Sequence, residues 1–136
     1  MSSVEHFESM SPSPRALLYI EDNPANVRLL EFVVAREDHL QLTSAVSAEE
    51  GIEMARRDQP DLILMDISLP GMDGYEALKH LKNDSRTSHI PVMAVSATVL
   101  HQDVERGQAA GFVEYLTKPI IIDDFLAAVE RVLDAD

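Results

Sequence analysis

Five residues of this sequence could do chemistry together: Glu21 and Asp22, Asp66, Ser96 and Lys118. Each stands where a short apolar run ends. Glu21 and Asp22 follow Ala16 to Ile20, Asp66 follows Leu62 to Met65, Ser96 follows Pro91 to Val95, and Lys118 comes after Phe112 to Leu116. Three carboxylates brought to one mouth repel one another, and a hard divalent cation with oxygen ligands relieves that repulsion. Mg²⁺ is the expected ion, with Mn²⁺ as the alternative. A carboxylate beside such a cation can attack phosphorus, while an ammonium and a hydroxyl balance the charge on the phosphoryl oxygens. An aspartyl phosphate is the chemical expectation.

Taken singly, the same residues have plainer readings. Asp22 suits a helix N-cap ahead of Pro24, and an aspartate at the end of a strand, such as Asp66, can also cap a helix. Lys118 alone reads as a solvated surface charge, Ser96 as a turn residue, and Tyr115 as half-buried packing. The five histidines, His6, His39, His80, His89 and His101, share no ligand spacing and read as surface residues. Met65 and Met93 lie inside apolar runs and read as core filler. Only the set as a whole describes a site.

The elements that must position this set alternate regularly. Four or five apolar residues closed by polar ones read as strands buried on both faces, whereas Leu40 to Val46 alternates apolar with polar and reads as an edge strand. Helical stretches lie between. The first carries Pro24 in its opening turn and a stripe of Val27, Leu30, Val33 and Val34. The second opens on a capping box of Ser47 and Glu50, followed by Ala48, Ile52 and Ala55. The third opens around Gly74 with Tyr75, Leu78 and Leu81. The fourth, Val99 to Ala109, has a thin apolar face and reads as weakly anchored. The last begins near Asp123 and buries Phe125, Leu126, Val129, Val132 and Leu133. Alternating strands and helices predict an α/β fold with a doubly wound parallel sheet, whose ligands gather outside the carboxyl ends of the strands.

Composition narrows the function classes. With 136 residues the chain has the length of one domain, and the absence of cysteine excludes disulfides, thiolate metal sites and a cysteine nucleophile. A formal charge of −13 repels nucleic acid and anionic lipid, so neither is an expected partner. Residues 1 to 14, rich in Ser, Pro and Glu, read as a loose N-terminal tail ahead of a domain spanning 15 to 134. No secretory signal or membrane-length apolar stretch is present in the sequence, and a cytoplasmic location is the expectation.

Read in order, Glu21-Asp22-Asn23, Asp61-Leu62-Ile63-Leu64-Met65-Asp66, Leu69-Pro70-Gly71-Met72-Asp73-Gly74, Val95-Ser96-Ala97 and Thr117-Lys118-Pro119 resemble response-regulator receiver domains. The intervals from Asp22 to Asp66, Ser96 and Lys118 agree as well. The resemblance covers about residues 15 to 134. It implies a flavodoxin-like fold with five parallel strands in the order 2-1-3-4-5 and five flanking helices. It also implies that Asp66 takes a phosphoryl group from a phosphohistidine on a histidine kinase or a histidine phosphotransfer protein. Asp22, Asp66 and the backbone carbonyl of Ser68 would ligate Mg²⁺, with Glu21 acting through water. Lys118 would bridge phosphate and carboxylate, Ser96 would bond the new phosphoryl group, and Tyr115 would change rotamer in response. The Lys118–Pro119 peptide would be cis, and Ser68 and Thr98 would tune dephosphorylation.

The output implied is a shift of the surface made by the fourth helix, last strand and last helix, which would control a protein partner. Glu21 stands where that family frequently has aspartate, and Ser96 where it frequently has threonine. The run Glu21 to Asn26 resembles receivers of phosphorelays and hybrid kinases, while an initial Met without an output domain suits a free-standing receiver. Two other classes compete. A haloacid-dehalogenase-like phosphatase would also form an aspartyl phosphate, but it wants an aspartate where Ser68 stands. A receiver-like binding module that had lost phosphorylation would lack an acid or the lysine, and none is missing.

Overall fold

In the computed structural model, which describes residues 13–97 and 100–135, the apolar runs lie side by side as one parallel sheet. Its strands are β1 (Arg15–Ile20), β2 (Leu40–Ala45), β3 (Leu62–Asp66), β4 (Val92–Ser96) and β5 (Glu114–Thr117). Helices alternate with them: α1 (Pro24–Ala35), α2 (Ala48–Asp58), α3 (Gly74–Lys82), α4 (His101–Ala110) and α5 (Ile122–Asp134). The strand order is β2-β1-β3-β4-β5, as expected. The strand order reverses direction at β1, which places the crevice at the β1–β3 boundary.

Two apolar layers hold the sheet. On one face Leu17, Tyr19 and Leu64 pack against Leu30 and Val33 of α1 and Phe125 and Val129 of α5. On the other, Leu18, Ile20 and Ile63 pack against Ile52 of α2 and Leu78 and Leu81 of α3. All five residues of β3 and of β4 are buried, because helices cover both faces of central strands. The edge strand β2 keeps the alternation read from its sequence.

Side-chain caps fix where α1, α2 and α3 start. Asp22 does not cap α1. Asn23 does, its side chain accepting the Ala25 N–H at 2.9 Å, so the carboxylate of Asp22 is released for other use. Ser47 accepts the Glu50 N–H at 3.1 Å, and Glu50 reaches back to the N–H of Val46 at 3.2 Å. Asp73 caps α3 through the Glu76 N–H at 2.9 Å.

Element bounds shift from the sequence reading by a residue in several places and by more in the last strand. The last strand begins at Glu114, not Phe112, because Gly111 ends α4 with φ 115° and turns the Phe112 ring inward, edge-on to Tyr75 at 5.7 Å. The fourth helix, expected from Val99, is described from His101; Thr98 and Val99 lie outside the described residues, as do residues 1–12 of the expected tail. Gly107 is a buried residue of α4, and a Cβ there would come within 3.0 Å of the Tyr115 ring. No helix among the described residues is long and apolar enough to cross a membrane.

Candidate functional site

Parallel register brings the carboxyl ends of β1, β3, β4 and β5 to one rim. Ile20 pairs with Met65, Asp66 with Val95 and Ser96 with Thr117, so the residues that close each strand are neighbours. Asp66 is the last residue of β3, and Glu21 directly follows β1. Their carboxylates are buried, at 3% and 1% residue exposure.

Lys118 reaches between them. Its Nζ lies 2.8 Å from Glu21 Oε1 and 3.0 Å from Asp66 Oδ2. Its backbone N–H donates to the carbonyl of the buried Ser96 at 2.8 Å, and the Lys118–Pro119 peptide is cis. The other oxygen of Asp66 accepts the Ser68 N–H at 2.9 Å. Asp22, exposed at the mouth, offers one carboxylate oxygen that lies with one each from Glu21 and Asp66 inside a group no wider than 4.8 Å.

Other named positions are less central. Ser68 is exposed, and its contact with the site is the amide just described. Tyr115, in β5, is half-buried and stacked over Gly107 of α4. Thr98 lies outside the described residues. Of the described histidines, His39, His80 and His89 are exposed and stand apart from this rim.

The electrostatics follow from crowding. Burial pushes the Asp66 carboxyl above the ordinary carboxylate range, and the neighbouring Glu21 charge pushes the same way against the pull of Ser68 and Lys118. Burial acts upward on Glu21 too, but hydrogen bonds, that from Lys118 foremost, outweigh it and bring Glu21 down to about 2. Burial would lower the Lys118 ammonium; its two carboxylates reverse that and raise it. One ammonium thus faces two buried carboxylates and a third at the rim. The excess negative charge and the all-oxygen donor set fit a hard divalent cation.

This is a rim at which one carboxylate is cornered between an ammonium and a cation-ready acidic pair, the arrangement a phosphoryl acceptor needs. A family model described as the response regulator receiver domain matches residues 17–130. The chain belongs to the response regulator receiver family. It is 35% identical over 88% of its length to the polar-differentiation response regulator DivK of Brucella anthropi, covering 97% of that protein. It is 40% identical over 76% of its length to the response regulator PleD of Caulobacter vibrioides, of which it covers 23%.

Solved receivers share the fold. A response regulator of Chloroflexus aurantiacus superposes with a TM-score of 0.83 at 28% identity, over 90% of this chain and 99% of that one. The receiver domain of a sensor histidine kinase of Pseudomonas aeruginosa, described with a magnesium ion coordinated in its active-site cleft, superposes with a TM-score of 0.80 at 29% identity, over 90% of this chain and 99% of that one. Receivers are phosphoacceptor switches of two-component signalling, and this chain is one of them.

Sequence reading missed part of this receiver's site. Glu21 also accepts hydrogen bonds from the Tyr19 hydroxyl at 3.0 Å, from Asn26 Nδ2 at 3.2 Å and from the Asn23 N–H at 3.2 Å. Tyr19 was legible in principle. It is an aromatic residue with a hydroxyl inside an otherwise aliphatic strand, two positions before Glu21 and therefore on the same face.

Proposed function

We propose that Asp66 is the phosphoacceptor of this receiver and takes its phosphoryl group from a phosphohistidine on a histidine kinase or histidine phosphotransfer protein. The observation that carries this is the Lys118 ammonium seated between Glu21 and Asp66, with Asp22 beside them. Asp66 attacks phosphorus, the P–N bond to the donor imidazole breaks, and an acyl phosphate forms. Lys118, freed from Asp66, follows the negative charge onto the phosphoryl group, and Ser96 at the adjacent strand end supplies a hydroxyl to it.

Asp22, Asp66 and the carbonyl of Ser68 would hold Mg²⁺, or Mn²⁺, with Glu21 close by. Bound there, the cation neutralises phosphoryl oxygen charge and orients the transfer. Because the site itself promotes both transfer and later hydrolysis, Ser68 at its edge tunes the lifetime of the acyl phosphate, as does Thr98, which lies outside the described residues. The domain runs over 15–134 and works in the cytoplasm. Its output is conformational: Ser96 draws the following loop, Tyr115 changes rotamer, and the α4–β5–α5 face gains or loses a protein partner. Supporting this is the shallow seat of α4, which buries Gly107 against that same tyrosine.

Incubation with acetyl phosphate and Mg²⁺ should add one phosphoryl group by mass spectrometry, and Asp66→Asn should abolish it. Undiminished labelling of Asp66→Asn would refute the assignment. Chelation of the cation should abolish uptake by the wild type.

A further inference from the structure

Tyr19 is among the largest side chains to be fully buried, and it stands in β1 among the aliphatic Leu17, Leu18 and Ile20. Alternate residues of a strand share a face, so Tyr19 and Glu21 point the same way, and the hydroxyl ends 3.0 Å from Glu21 Oε1. The same oxygen receives Lys118 Nζ at 2.8 Å and Asn26 Nδ2 at 3.2 Å. Glu21 Oε2 receives the Asn23 N–H.

A carboxylate oxygen has about two lone-pair sites. Oε1 is therefore filled by protein donors from three elements: β1 itself, α1, and the segment after β5. Each donor blocks rotation of the carboxylate about its last bond. The longer reach of Glu21 over an aspartate is what allows one oxygen to meet both a strand hydroxyl below it and the lysine across the crevice.

We propose that Tyr19 is a positioning residue of the phosphoacceptor site: its hydroxyl fixes the Glu21 carboxylate so that Oε1 holds Lys118 against Asp66 and Oε2 stays available to the cation. This rests on the cation-assisted reading of the site given above. Groups that orient the residues around a metal typically change its affinity by about 10–100-fold when removed.

The test is Mg²⁺ titration by calorimetry on the full chain. Tyr19→Phe, which deletes only the hydroxyl, is expected to raise the Mg²⁺ Kd about tenfold and to slow phosphoryl uptake from acetyl phosphate at saturating Mg²⁺. In a Glu21→Asp background, where the shortened carboxylate no longer meets the hydroxyl, Tyr19→Phe should leave the Kd unchanged. A Tyr19→Phe protein that melts earlier but binds Mg²⁺ as the wild type does would overturn the proposal, as would an equal loss in both backgrounds.

A second measurement needs no variant of Tyr19. In wild-type protein carrying ¹³Cζ-labelled tyrosine, with Tyr75→Phe and Tyr115→Phe used for assignment, the Tyr19 signal should shift along the Mg²⁺ titration. A Tyr19 signal unmoved at saturation overturns its role. Failure of the wild type to bind Mg²⁺ at all would instead overturn the underlying reading of the site.

Discussion

At the scale of single residues, the site is defined by a charge imbalance. Lys118 is one cation against Glu21 and Asp66, both buried, and the shortage falls on Asp66, whose carboxyl is raised. An acid with a folded-state pKa above its unfolded value loses folding free energy as pH rises through and beyond the ordinary carboxylate range. Neutralising it removes that loss. Asp66→Asn should therefore melt higher than wild type in EDTA at pH 7, and added Mg²⁺ should narrow the gap by stabilising only the wild type. A variant that melts lower in EDTA would show that the Lys118 contact outweighs the crowding. Glu21 has the opposite sign. Its pKa of about 2 lies below the ordinary 4.5, so its contribution is present above 4.5 and lost as pH falls toward 2.

At the scale of elements, two buried glycines set how firmly helices sit on the sheet. A Cβ on Gly51 in α2 would meet Ile20 at 2.3 Å and 2.6 Å, and Ile20 immediately precedes Glu21. Alanine there gains about 1 kcal/mol of helix propensity but overpacks a filled core. Gly51→Ala should therefore cost a net of about 1–3 kcal/mol by urea denaturation; a stability equal to wild type would mean that α2 can lift away freely. Gly107 in α4 is a different case. Its Cβ would press the Tyr115 ring at 3.0 Å, which a small ring movement relieves. Gly107→Ala should change stability by no more than about 1 kcal/mol, the propensity gain offsetting the contact, yet shift the aromatic resonances of Tyr115. Unmoved resonances would contradict the close seating of α4 on that ring.

At the scale of the whole molecule, α5 is tied to the turn before β2 by His39 and Glu130, 2.6 Å apart and both exposed. The hydrogen bond that the His39 ring donates to the Glu130 carboxylate raises the imidazole above its ordinary value. The tie is complete below that ordinary value and is lost as pH rises through the raised one. An NMR titration should give His39 a midpoint above that of an ordinary imidazole, and Glu130→Gln should bring it back down. A midpoint indifferent to that substitution would remove the tie.

The sequence by itself determined the alternation of buried strands and amphipathic helices, because apolar period and turn chemistry are local properties. It also determined which polar residues end the strands, and hence that Glu21, Asp22, Asp66, Ser96 and Lys118 would meet, once parallel pairing is assumed. Only the tertiary structure decided how they meet. That Asn23 and not Asp22 caps α1 depends on which side chain the chain's turn aims at the helix end. That Lys118 leans on Glu21 as well as Asp66 depends on distances between β1, β3 and the segment after β5. Such distances are fixed by packing between segments far apart in the chain, for which no local pattern of residues carries the information.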